Sequence, residues 1–114
     1  MEQPSDFALS VQPDRDRVRV IAIGEIDLVS APLLAAQIKD LWVAGWTDVT
    51  ADLSGVTFLD STGVHVLVTA RNDAIGRGAG FSVTNGNAAV SQVLRICGVE
   101  ELLAPAARAA EGAT

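Results

Sequence analysis

The sequence is poor in the residue types that most often hold metals or form cross-links. Among 114 residues it has one cysteine, one histidine and no tyrosine. Cys97 has no second cysteine with which to form an internal disulfide, and a single histidine without further thiols does not make a metal cluster. No metal site is therefore expected, and the cysteine content is typical of a protein of the reducing cytoplasm.

Basic charge and long hydrophobic runs are also scarce. Eight Lys and Arg residues against fourteen Asp and Glu residues give a formal net charge of −6, and Lys39 is the only lysine. This is the wrong sign for a phosphate backbone or an anionic membrane surface, so nucleic acid is excluded as a direct partner. No apolar run approaches the roughly 18 residues that a membrane span requires, and the start MEQPSDFALS does not resemble a signal peptide. We expect no membrane association and a cytoplasmic location.

The composition is that of a folded protein. Hydrophobic residues make up 49% and aromatic residues only 4%, which predicts a core of aliphatic side chains. The length suits one domain over residues 1–114, whose Ala-rich end, from about 105 to 114, is expected to be frayed.

Hydrophobic periodicity predicts alternating strands and helices. Alternation over 7–11 and a β-branched run over 18–24 predict a hairpin around the turn residues QPDRDR. Ser30 is predicted to cap a helix with Leu34, Ile38, Leu41 and Trp42 on one face, ending before Gly45. The later elements are a short strand over 48–53, a helix from about Val64 to the glycines at 76, 78 and 80, a strand over 81–84, a helix over 87–97 closed by Gly98, and VEELL as an edge strand or helical turn.

This order predicts an α/β fold with a mixed sheet of four to five strands and helices packed on it. Loops that follow the carboxyl ends of parallel strands meet at one rim of the sheet, where sites usually form. The segments GEIDLVS and SGVTFLDS should therefore be neighbours, which makes Asp27 and Ser61 candidates for one surface.

The segment LDSTG, residues 59–63, places two hydroxyls behind a carboxylate at a predicted strand-to-helix junction. A nucleophile elbow has the form G-x-S-x-G, but residue 59 is Leu. His65 shares the helix with Ser61, yet a side chain one turn along rarely reaches a capping hydroxyl as a base, so we disfavour a hydrolase and assign His65 no role. The glycines of GRGAGF end a helix rather than open one, so they do not form a phosphate-binding loop.

Each residue of the candidate site also has a structural interpretation. Ser61 can be a helix N-cap, a position whose positive electrostatic potential also suits an added phosphate. Asp60 and Asp27 can each be an acidic residue that is favoured near a helix start. These interpretations are compatible with a role in binding and remain open.

The stretch DLSGVTFLDSTGVHVLV resembles the central signature of STAS domains, in particular of bacterial anti-sigma factor antagonists. GEIDLVSAPLL is similar to the G-E-[IL]-D segment ahead of the family's first helix, and NAAVSQVLRICGVEELL is similar to its last helix and end. The resemblance implies that Ser61 is the phosphoacceptor, with Thr62 as the competing hydroxyl. It also implies that Asp27, Asp60, Ser61, Thr62 and Gly63 form the partner-binding surface.

The resemblance implies a regulator without enzymatic activity that works by partner switching. Its expected partners are an anti-sigma factor that is also a serine kinase, and a serine phosphatase. ATP would be bound by the kinase, so no cofactor is expected in this chain. The alternative is a STAS interaction module of another assembly, connected with stress signalling or with a transporter.

Overall fold

A computed structural model describes residues 7–84 and 87–104. The elements are β1 (Phe7–Asp14), β2 (Arg17–Ile26), α1 (Ala31–Val43), β3 (Asp48–Leu59), α2 (Ser61–Arg77), β4 (Gly80–Thr84), α3 (Ala88–Ile96) and α4 (Glu100–Leu103). The predicted order of strands and helices is confirmed, and VEELL contributes a short helix. The residues at 105–114, predicted to be frayed, lie outside the described residues.

The sheet has four strands in the order β1-β2-β3-β4. β1 is antiparallel to β2, while β2, β3 and β4 are parallel, so the predicted mixed α/β sheet is confirmed. The predicted turn QPDRDR is shorter than expected because pairing continues to Asp14 and Arg17. Only Arg15 and Asp16 link the strands, and Arg15 takes the positive φ of 62° that so tight a link requires.

The third strand extends to Leu59, whereas the sequence predicted an end at Leu53. Ser54 and Gly55 are typical turn residues, but here they lie where the register with β2 shifts, at a β-bulge. The Asp52 carboxylate accepts hydrogen bonds from the Ser54 backbone N–H at 3.0 Å and from its hydroxyl at 2.7 Å. These local bonds let a turn-like sequence remain inside a strand.

A second contact supports the same bulge from α3. The Asn87 side-chain amide lies 3.1, 3.2 and 2.9 Å from the carbonyl oxygens of Leu53, Ser54 and Val56. Its carbonyl oxygen accepts from the Val90 N–H at 2.8 Å and so caps α3. Asn87 thus connects the start of α3 to β3, a function that the sequence pattern did not predict.

Helix α1 buries the predicted face, Leu34, Ile38, Leu41 and Trp42. Ser30 is the N-cap residue of α1 by position, as predicted, but its side chain makes no capping hydrogen bond to the helix. The Ser30 hydroxyl is fully buried and is bonded back toward β2, as described below. In helix α3, Val90 and Leu94 are buried, whereas Ala89 is exposed.

The core lies between one face of the sheet and the helices. β2 alternates strictly, with Val18, Val20 and Ala22 buried on the helix side. From α2 the core receives Val64, Leu67, Ala70 and Ala74, while Ile75 is 59% exposed. Aliphatic residues dominate this core, as predicted. Within the described residues, no helix is long and apolar enough to cross a membrane.

Candidate functional site

The parallel strands β2 and β3 end side by side. Ile26 and Leu59, the last residues of the two strands, are paired in the sheet, and the Asp60 N–H donates to the Ile26 carbonyl oxygen at 3.2 Å. Asp27 and Asp60 therefore follow directly at the same rim. The two loops that the sequence predicted to be neighbours are neighbours, although both are shorter than predicted because both strands are longer.

Asp27 organises the loop before α1. Its Oδ1 accepts from the backbone N–H groups of Val29 and Ser30, at 3.0 and 3.1 Å. The hydrogen bond from the Ser30 N–H lowers the pKa of the Asp27 carboxyl, and partial desolvation opposes it. Asp27 is thus a structural residue of this loop, whatever else it contacts.

Ser30 connects this loop to the strand. Its hydroxyl accepts from the Asp27 N–H at 2.9 Å and donates to the Glu25 carbonyl oxygen at 2.7 Å, with Asp27 Oδ1 a further 3.2 Å contact. With 0% exposure, it satisfies buried backbone groups that would otherwise lack a partner. This serine is inaccessible in the folded protein.

Asp60 is the N-cap of α2, so the interpretation of Ser61 as the cap is wrong. The Asp60 carboxylate accepts from the N–H groups of Thr62 and Gly63 at 2.9 and 3.2 Å, and its backbone is extended as in other N-caps. Ser61 is the first helical residue. Both residues are good caps by type, and only the backbone angles distinguish them.

The two candidate hydroxyls differ in what they contact. Thr62 donates its hydroxyl to Asp60 Oδ1 and is only partly exposed. Ser61 is exposed, and its hydroxyl makes no hydrogen bond to any residue of 7–84 or 87–104. Ser61 is therefore the accessible hydroxyl of the pair.

Gly63 has a packing function. It is buried, and a Cβ at this position would lie 2.5 Å from Leu59 Cδ1 and 2.7 Å from Ile26 Cγ2. The first turn of α2 therefore rests directly on the ends of β2 and β3, which only a residue without a side chain permits. A partner cannot reach Gly63 directly in this structure, so its contribution to a binding surface is to position Ser61 and Thr62.

A shallow groove connects the starts of the two helices. Its lining is mainly apolar and comprises Leu28, Ala31, Pro32, Ser61, Thr62, His65 and Val66. His65 is exposed, and no hydrogen bond joins it to Ser61 in the part of the chain that the structure describes. The arrangement lacks the nucleophile–base contact of a Ser-His hydrolase.

Large apolar side chains are exposed in the loop between β2 and α1, in the first turn of α1 and at the end of β3. Leu28 is 72% exposed, Val29 60% and Leu33 44%, and Phe58 at the end of β3 is 49% exposed. We call Leu28, Val29, Leu33 and Phe58 the apolar rim. The sequence reasoning did not identify it, although two consecutive apolar residues, Leu28 and Val29, in a predicted loop were the available signal.

Metal ligands do not converge here. Among residues 7–84 and 87–104, no group of three or more His, Cys, Asp or Glu side chains could hold a metal ion. Cys97 is exposed at the end of α3. The site consists of a free hydroxyl, two hydrogen-bonded carboxylates and apolar surface.

The fold and the site together define a class of protein. Its members have a four-stranded mixed α/β sheet and an exposed serine at the point where a strand of the sheet is followed by a helix. The family model for the STAS domain matches residues 11–112. The chain belongs to the STAS domain family.

Relatives within the family are consistent with that assignment. The anti-sigma-F factor antagonist RsfB of Mycobacterium tuberculosis is 30% identical over 102 residues, which cover 89% of this chain and 82% of RsfB. The crystal structure of an anti-sigma factor antagonist from Mycobacterium paratuberculosis aligns with a TM-score of 0.79 at 26% identity, covering 99% of this chain and 97% of that one. The antagonist SpoIIAA of Bacillus, in its unphosphorylated form, shares the fold with a TM-score of 0.72 at 20% identity, covering 82% of this chain and 84% of SpoIIAA.

Proposed function

We propose that this chain is an anti-sigma factor antagonist that acts by phosphorylation-controlled partner switching. The observation that carries the proposal is the exposed hydroxyl of Ser61 at the start of α2, which has no hydrogen-bond partner among residues 7–84 and 87–104. The homology to RsfB, an anti-sigma-F factor antagonist, supports an anti-sigma factor as the partner. That SpoIIAA has been described in unphosphorylated and phosphorylated forms supports the choice of modification.

In the unphosphorylated state the chain binds an anti-sigma factor, and a sigma factor is thereby released. The exposure of Leu28 in the groove beside Ser61 supports such binding, because exposed apolar side chains next to polar groups are typical of interaction surfaces. The same partner is a serine kinase. It transfers the γ-phosphoryl group of ATP to Ser61 Oγ, the hydroxyl proton is lost, and ADP is released.

Phosphorylation then reduces binding through charge. A phosphoserine carries about −1.5 to −2 charges at pH 7. The backbone N–H groups of the first turn cannot offset this charge freely, because those of Thr62 and Gly63 are bonded to Asp60. Much of the new charge is therefore hydrated, and this water must be lost when the surface is covered by a partner.

The size of the effect follows from this desolvation. A cost of about 4 kcal/mol at the interface would weaken the affinity roughly a thousandfold, which is enough to exchange one partner for another. A serine phosphatase returns the protein to its binding state by hydrolysing the phosphate ester. The chain itself supplies no catalysis and needs no cofactor, since ATP belongs to the kinase.

We further propose that residues 1–114 are one STAS domain and that the protein works in the cytoplasm, together with its sigma factor. The match of the family model to residues 11–112 supports a single domain.

Titration calorimetry with the purified anti-sigma factor tests the proposal. Ser61→Ala should bind constitutively, whereas Ser61→Asp and the phosphorylated protein should bind much more weakly, with the phosphorylated protein about a thousandfold weaker. Thr69→Asp is the matched control, because Thr69 is exposed two turns further along α2. Its affinity should stay close to that of the unmodified protein.

Mass spectrometry after incubation with ATP and the kinase locates the phosphate. Phosphate on Ser61, lost in Ser61→Ala and retained in Thr62→Ala, is the expected result. Equal affinity of the phosphorylated and unphosphorylated forms, or phosphate on Thr62 alone, would contradict the switch as assigned.

A further inference from the structure

We infer that His65 is the charge partner of a phosphate on Ser61, and that this pair makes the phosphorylated state sensitive to pH. The inference rests on the proposed function, because it concerns the same hydroxyl. It gives a role to His65, the only histidine of the chain, which the partner-switching mechanism does not use.

The two side chains occupy one face of α2. Residues four apart on a helix have Cβ atoms about 5–6 Å apart, and side chains lean toward the helix N-terminus. His65 therefore leans toward the turn that carries Ser61. Both residues line the same groove, and both are exposed. A phosphate extends farther from the backbone than a hydroxyl, which brings its oxygens within reach of the imidazole.

Within the described residues, no other cation lines the groove. The other side chains that line the groove are Leu28, Ala31, Pro32, Thr62 and Val66, and none of them is charged. The nearest carboxylates at the rim, Asp60 and Asp27, are acidic and are engaged by backbone N–H groups. Neither can attract a phosphate. A protonated His65 is therefore the cation best placed to balance the new charge.

The sign of the pH dependence follows from linkage. A nearby phosphate favours the imidazolium, so His65 holds its proton to a higher pH in the phosphorylated protein. The added stability is fully present below the pH at which an unperturbed histidine titrates, about 6.5, and it is lost as pH rises through the higher folded value. Below about pH 6 the phosphate itself gains a proton, and its smaller negative charge weakens the attraction to the imidazolium.

The stability of the phosphorylated protein relative to the unphosphorylated one should therefore be highest between about pH 6 and 7. The imidazolium also binds the phosphate oxygens. A phosphatase should therefore reach the phosphate less easily in the same pH range. A fall in pH would in this way prolong the phosphorylated, non-binding state.

NMR titration of His65 tests the inference directly. Phosphoserine is placed at residue 61 by genetic encoding in untagged protein, so that the imidazole signals come from one residue. Their titration midpoint should lie about half to one pH unit higher in the phosphorylated than in the unphosphorylated protein. Identical midpoints would overturn the inference.

A displaced histidine provides the matched control. In the double variant His65→Gln, Thr69→His, the imidazole is moved to an exposed position about 12 Å along the helix from Ser61, and phosphorylation should leave its midpoint nearly unchanged. An equal shift there would show a general charge effect and would overturn the specific pairing.

Thermal unfolding adds a readout that does not depend on the imidazole signals. The melting temperature of the phosphorylated protein relative to the unphosphorylated one should fall from pH 6.5 to pH 8, and His65→Gln should abolish this dependence. Because the phosphoserine is encoded, these outcomes do not require a kinase. A kinase that fails to modify Ser61 contradicts the proposed function alone.

Discussion

The two helix starts at the rim use similar residues for opposite purposes. Each follows a parallel strand, and each has an aspartate that accepts backbone N–H bonds, Asp27 before α1 and Asp60 before α2. Each also has a serine nearby. Ser30 is fully buried and bonded to the Glu25 carbonyl, whereas Ser61 is exposed and unbonded within the described residues.

The difference shows that the accessibility of a serine hydroxyl depends on which backbone groups its neighbours already satisfy. At the second helix start Asp60 satisfies the first-turn N–H groups, so the Ser61 hydroxyl is not needed there. At the first start the chain turns back toward β2, and the Ser30 hydroxyl must satisfy buried backbone groups of that turn. One serine stabilises the fold, and the other can be modified without a loss of bonds.

The largest expected effect concerns the packing beneath Ser61. Gly63→Ala should destabilise the protein by about 1–3 kcal/mol, because the new methyl group would overlap Leu59 and Ile26. Gly76→Ala, in the same helix but with nothing within 4 Å, should instead be neutral or stabilising by up to about 1 kcal/mol. Urea unfolding measures both. Equal stability of the two variants would mean that α2 does not depend on this close approach.

The next effect compares the two serines directly. Ser30→Ala should cost about 1–2 kcal/mol, because it leaves the Asp27 N–H and the Glu25 carbonyl without their hydroxyl partner. Ser61→Ala should change the free energy of unfolding by less than about 0.5 kcal/mol, since no bond is lost. Denaturant unfolding of both variants under one condition checks this contrast. A similar loss in the free energy of unfolding at the two positions would contradict it.

The smallest effect is the acid dependence at the first helix start. Hydrogen bonds from Ser30 lower the pKa of Asp27, so its contribution is present above the unfolded-state value of about 3.9 and is lost as pH falls through the lower folded value. Asp27→Asn should therefore flatten the loss of stability that occurs as pH falls below about 4. The exposed carboxylate of Asp40 on α1 supplies the control Asp40→Asn, which should leave the slope nearly unchanged.

The same Asp27 variant separates structure from binding. If Asp27→Asn changes the acid dependence but not the affinity for the anti-sigma factor, Asp27 acts only in its loop. A loss of affinity at neutral pH with unchanged stability would instead place it in the partner surface.

Sequence reasoning succeeded where signals were local and periodic. The hairpin of β1 and β2, the buried face of α1 and the strand-to-helix junction at Asp60–Ser61 were predictable, because β-branched runs, side-chain period and helix entry are properties of neighbouring residues. It failed at Ser54 and Gly55, which have turn propensity but lie within β3. Their conformation depends on β2 and Asn87, which are distant in the sequence.

The candidate site divides in the same way. The sequence by itself determined that an aspartate and two hydroxyls stand at a helix entrance, because D-S-T-G follows a strand and precedes an apolar helix. Only the tertiary structure decided that Asp60 caps the helix, that Gly63 is buried and that Ser30 is enclosed while Ser61 is open. The reason is physical: residue type sets which hydrogen bonds a side chain can make, but burial and backbone direction, fixed by contacts between strands and helices, decide which bonds it does make.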